Sequence, residues 1–171
     1  MRRVVMSIMP LVLVGAISSC SAPTEPTELS VDLSSSPATP SAVAAKGVFY
    51  TIKGDDTHPD QTIEYPWKAS FTVSLQETGG LAVDITAVNV RVQQASGGIV
   101  ITPTGGTVEQ YQFNSSASGN RLEANGSASV GFEVWYDLPN KGREALVTVA
   151  FTFRDEDSGT YGDSLDIRVT P

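Results

Sequence analysis

The chain of 171 residues contains one cysteine and one histidine. A single thiol excludes an internal disulfide and any site built from several thiolates. The lone histidine, His58, lies in the polar run Gly54-Asp55-Asp56-Thr57-His58-Pro59-Asp60 and reads as a solvated loop residue. Nucleophilic catalysis needs a nucleophile, a base and a group that orients the base. No serine stands in a Gly-x-Ser-x-Gly turn, so that route to an acyl-transfer enzyme is closed. Positive charge is also scarce, with 11 Lys and Arg against 19 Asp and Glu. Such a balance repels phosphate backbones, so no nucleic acid is expected as a partner. It gives no electrostatic hold on anionic lipid either.

Apolar residues are concentrated first at the N-terminus. Arg2 and Arg3 precede residues 4–17, which are apolar apart from Ser7. This is the charged start and apolar body of a secretory signal. The run falls short of the ~20 residues a membrane span requires, and Pro10 would kink a permanent helix. Removal of residues 1–19 takes both arginines and no acid, leaving nine basic residues against 19, a net charge of −10.

The run ends in Ile17-Ser18-Ser19-Cys20. These four residues resemble the lipobox of bacterial lipoproteins: an aliphatic residue, two small ones, then the cysteine whose sulfur receives diacylglycerol. The resemblance implies that Cys20 becomes the mature N-terminus, carrying thioether-linked diacylglycerol and an acyl chain such as palmitate. Ser21, in place of Asp, implies sorting to the outer membrane in a two-membrane envelope. Cys20-Ser21-Ala22 also fits an ordinary small-residue cleavage site, which would discard the cysteine. The meeting of the apolar run's end, the small residues and the only cysteine favours the lipobox.

Residues 21–46 hold Pro23, Pro26, Pro37 and Pro40 amid Ser, Thr and Ala, with no aromatic residue. A segment of this composition is expected to stay disordered, because it buries too little to offset its ordering entropy. As a flexible coil it would average roughly 30 Å end to end, and about 80 Å near full extension. The expected organisation is a signal peptide over 1–19, a lipidated cysteine and tether over 20–46, and one domain over 47–171.

From Gly47 the pattern has period two. Trp67, Ala69, Phe71, Val73 and Leu75 alternate with polar residues, as do Val130, Phe132, Val134 and Tyr136. Val147, Val149, Phe151 and Phe153 repeat the pattern, and so do Leu165, Ile167 and Val169. Alternation of this kind marks half-buried strands. Weaker strands are expected over 48–52, 99–102 and 108–113, with turns at Gly79-Gly80, Gly97-Gly98, Gly105-Gly106, Asn125-Gly126, Pro139 to Gly142 and Ser158-Gly159. One strand changes parity: Val83, Ile85 and Ala87 are odd, whereas Val88, Val90 and Val92 are even. A one-residue slip would turn half of that strand's core face to solvent. A β-bulge near residues 86–88 repairs it.

Seven or eight short strands with regular turns predict an all-β, antiparallel β-sandwich. The rhythm over 47–171, and the final hairpin above all, resembles the immunoglobulin-like modules of bacterial surface proteins. Fold resemblance carries no function with it.

Acidic residues crowd the last hairpin, where Asp155, Asp157 and Asp163 are the calcium candidates. Calcium favours oxygen-rich loops, but glycine falls at loop position five and no glutamate closes the loop, so the EF-hand template fails and no metal is assigned. Trp135 falls out of phase with Val134 and Tyr136, on the outward face, where an exposed ring could stack on a sugar or anchor a partner, although such a ring more often packs beside neighbouring outward side chains or under a loop. The expected function is a membrane-anchored, non-catalytic envelope lipoprotein presenting an interaction or structural module. The alternative is a ligand-binding module for carbohydrate or calcium. No cofactor is expected. The membrane is the expected partner through the lipid, and beyond it an envelope protein or polysaccharide.

Overall fold

Antiparallel pairing organises every strand of the computed structural model, which describes residues 28–95, 110–117, 119–138 and 142–171. Eleven strands are present among the described residues and no helix: β1 (Val31–Ser36), β2 (Val43–Ala44), β3 (Phe49–Ile52), β4 (Gln61–Glu64), β5 (Trp67–Glu77), β6 (Val83–Gln94), β7 (Gln110–Ala117), β8 (Arg121–Leu122), β9 (Ser127–Asp137), β10 (Ala145–Asp155) and β11 (Thr160–Val169). One sheet runs β1-β5-β9-β7, with β2 also paired to β5; a second runs β11-β10-β6-β8; β3 and β4 form a separate hairpin.

The two larger sheets share one core. Ala69, Phe71, Val73 and Leu75 of β5 face inward with Val130, Phe132 and Val134 of β9. Across from them stand Val147, Val149, Phe151 and Phe153 of β10, with Ile167 and Val169 of β11. The polar residues between them face out, as strand geometry requires. The chain is thus all-β, with a sandwich of two sheets as its body.

The parity change in β6 is a bulge. Thr152 of β10 pairs with Ala87, and the next residue, Phe153, pairs with Ile85, so Thr86 is the extra residue. Its hydroxyl donates to Thr152 O at 3.1 Å. Val83 and Ile85 therefore face the same way as Val88, Val90 and Val92. Ala87, expected inward, is exposed beside the bulge.

The expected tether and the boundary at Gly47 do not hold for residues 28–46. Strand β1 pairs with β5 from Val31↔Glu77 to Ser36↔Thr72, and β2 continues along the same edge with Val43↔Lys68 and Ala44↔Trp67. Between them the chain crosses to the other sheet, where Ala42 N donates to Thr170 O and Thr170 N donates to Pro40 O. Leu29, Val31 and Leu33 pack against the core. An edge strand needs only one apolar face and a ladder of backbone bonds, which a Ser-rich composition can supply. These additions, with β4 and β8, raise the strands above the seven or eight expected. Residues 1–27, the strand expected over 99–102, and the turns at Gly97-Gly98, Gly105-Gly106 and residues 139–141 lie outside the described residues.

Candidate functional site

Trp135 projects from β9 on the outer face of the first sheet, between Lys68 of β5 and Gln112 of β7. The parity assignment is therefore right, but the ring is only 8% exposed. The Lys68 ammonium lies 5.9 Å from its centroid, within cation–π range, while donating to Glu133 Oε1 at 2.8 Å. The ring is covered among neighbouring outward side chains, the more usual of the two arrangements open to it, and a covered ring offers no flat surface for a sugar.

Next to it, the same face carries a shallow groove of about 550 Å³. Two cross-strand rows make its floor: Thr72–Gly131–Ser116 and Ser70–Glu133–Asn114. Ser36 closes it at the β1 edge. Its depth has a simple cause, since Gly131 has no side chain and a Cβ there would stand 3.1 Å from Ser116 Oγ. Its polar lining is hydroxyls, one amide and one carboxylate, set among Pro37, Phe71 and Phe132, which make the surface more apolar than polar. It suits a neutral, hydroxyl-rich ligand better than an anion, because Lys68 is already engaged with Glu133.

The acidic hairpin is built for its own turn. Asp155 Oδ1 accepts from Gly159 N at 2.7 Å and Oδ2 accepts from the Tyr161 hydroxyl at 3.0 Å. That bond, with the carboxylate's charge, raises the Tyr161 pKa above its ordinary value. Asp163 stands opposite Phe151, away from the tip, and accepts from Ser164 N. Asp155, Asp157 and Asp163 are not brought together, and no group of three or more His, Cys, Asp or Glu among the described residues is arranged to hold a metal.

His58 also belongs to a local turn. Asp55 Oδ1 accepts from the Thr57 hydroxyl at 2.7 Å and from the Thr57 and His58 amides at 2.9 Å each. The Thr57 hydroxyl, then the Thr57 amide, then the His58 ring hold the Asp55 carboxyl down to about 2. A catalytic relay places nucleophile and acid on different ring nitrogens. Here Thr57 and Asp55 both meet His58 Nδ1, at 2.8 and 3.0 Å, on an exposed loop.

The residue that sequence reading missed is Glu77, which is fully buried. Its Oε1 accepts from Gly79 N at 2.7 Å, and its Oε2 accepts from Gly80 N at 2.9 Å and Asn125 N at 2.7 Å. Burial pushes its pKa up, but the amides of Asn125, Leu81, Gly80 and Gly79 together outweigh that and leave it below the usual carboxylate range. The carboxylate ties the β5–β6 turn to the β8–β9 turn, where Asn125 takes a positive φ of 56°. A signal was present: Glu77 continues the inward series 69, 71, 73, 75 and precedes Gly79-Gly80.

At the other end of the sandwich the Arg143 guanidinium sits 4.4 Å over the Trp67 ring, and the Tyr50 hydroxyl donates to Asp137 at 2.8 Å. Burial first, then that bond, pushes Tyr50 up to about 12. No family model matches the chain, and no curated protein matches it. What the fold defines is the class, an all-β antiparallel protein.

Proposed function

We propose that this chain is a bacterial envelope lipoprotein, anchored through Cys20, whose immunoglobulin-like β-sandwich is a non-catalytic interaction or structural module. The observation that carries the reading is the sequence Ile17-Ser18-Ser19-Cys20 at the end of an apolar run, with folded chain only a few residues beyond it. Two features support the non-catalytic part. Asp55, Glu77 and Asp155, the acids with most hydrogen bonds in their turns, use them on backbone amides, neighbouring hydroxyls and, for Asp55, the ring of the adjacent His58. His58 lacks the two-sided geometry of a base. The outer membrane is the proposed location, with the lipid holding the protein to it. Three acyl chains would hold it far more firmly than the marginal single chain. Intact mass measurement of the protein extracted from envelopes tests this: a mature chain starting at Cys20 with acyl additions is expected, and an unmodified chain starting beyond Cys20 contradicts it.

A second reading rests on the groove between Ser70, Asn114, Ser116 and Glu133: a ligand-binding module for carbohydrate. Titration of envelope polysaccharides into the protein and its Glu133→Ala variant tests it. Binding that the variant loses supports it, and absence of binding to both removes it.

A further inference from the structure

The folded chain starts at one particular end of the sandwich. Ser30 O accepts from Thr78 N at 2.8 Å, and Glu28 O lies so close to Gly79 that a Cβ there would fall 1.8 Å from it. Glu28 is thus seated against the β5–β6 turn, at the end that also carries the β8–β9 and β10–β11 turns. The opposite end carries the start of β5 at Trp67, the end of β9 at Asp137 and the start of β10 at Ala145. Ten residue steps of β5, from Trp67 to Glu77, separate the two, a height of about 33 Å.

We infer that the lipidated protein stands with its β5–β6, β8–β9 and β10–β11 turns toward the bilayer and the end bearing Trp67, Arg143 and the root of the β3–β4 hairpin away from it. This rests on the lipid-anchor reading. Eight residue steps join Cys20 to Glu28, so the chain reaches at most about 29 Å. Inversion would lift Glu28 about 33 Å above the lipid, beyond the fully extended chain and reached only with the thioether and glycerol stretched taut as well. Lying flat gains little, because a mature chain of net charge −10 finds no attraction in anionic headgroups. The surfaces offered to a partner in the aqueous compartment are therefore those of the far end.

The chain's only cysteine is consumed by the lipid, so an introduced thiol is the only free one. Asp157→Cys marks the turn end and Lys46→Cys the far end; both positions are exposed. Each full-length lipidated variant, labelled with a donor dye, is placed in vesicles of phosphatidylethanolamine and phosphatidylglycerol containing a headgroup-attached acceptor. Energy transfer several-fold stronger from position 157 than from position 46 is expected. Equal transfer, or the reverse, in protein that floats with the vesicles overturns the orientation alone. Failure of both variants to float overturns the lipid anchor and the orientation with it.

Discussion

Phe132 of β9 and Phe151 of β10 meet edge to face across the space between the two sheets, with ring centroids 6.4 Å apart and planes at 77°. Phe132 also stacks on Phe71, and Phe151 on Phe153, so four rings run continuously through the core. Such contacts add to the stabilisation from area burial alone. Phe151→Ala is expected to cost about 3–5 kcal/mol, a large share of a typical domain's stability. Thr152→Ala, one residue along and facing out, should cost roughly 0.5 kcal/mol or less. Denaturant melts of the two variants check the contrast; similar costs would mean β10 is buried on both faces.

Glu77 makes stability depend on pH in a defined direction. Its folded pKa lies below the unfolded value, so its contribution is present above the ordinary carboxylate pKa. It is lost as pH falls through the folded value. Glu77→Ala, which leaves the turn amides of Gly79, Gly80, Leu81 and Asn125 without their acceptor, should cost about 3 kcal/mol or more near neutrality. Glu77→Gln should show a deficit against wild type that shrinks as the melts are taken to acid pH. A deficit constant across pH would show that the carboxylate is not the titrating partner of those turns.

The bulge makes a deletion experiment informative. Without Thr86, Ile85 and Val88 would flank a single exposed residue, Ala87, and the alternation of β6 would become regular. That deletion should keep a cooperative fold. Deleting Asn89 instead shifts parity between the two halves and turns apolar side chains worth about 1.5–3 kcal/mol each to solvent. Its expected result is loss of the cooperative transition, read by circular dichroism during denaturation. Equal tolerance of both deletions would contradict the register.

A chain beginning at Gly47 lacks β1 and β2 and leaves the β5 edge unpaired. Relative to one beginning at Ser21, it should lose about 2–4 kcal/mol from the exposure of Leu29, Val31 and Leu33 and their partners. Unchanged melting would mean β1 is not part of the stable unit.

Where strands were long and two-faced, the sequence was easy to read. In β5, β9 and β10 most alternate side chains are Val, Leu or Phe, with Ala69, Tyr136 and Ala145 in the same series, and a sandwich core requires that apolar alternation. The bulge at Thr86 was legible for the same reason, since a parity error has only one local repair. Strand β1 was not, because an edge strand takes its hold from backbone bonds, and Val31-Asp32-Leu33-Ser34-Ser35-Ser36 resembles a linker in composition. The outward side of Trp135 could be read, but not its neighbours, since Lys68, whose ammonium stands over the ring, lies 67 positions back on another strand. The groove over Gly131 depends on three strands in register, information that no local pattern holds.

Membrane fractionation of Cys20→Ala beside wild type tests the lipid anchor most directly. Wild type is expected in the detergent-soluble membrane fraction as a processed, acylated chain, whereas Cys20→Ala should lack acylation, escape processing by the lipoprotein route and leave that fraction. A variant processed and fractionated like wild type would contradict the account.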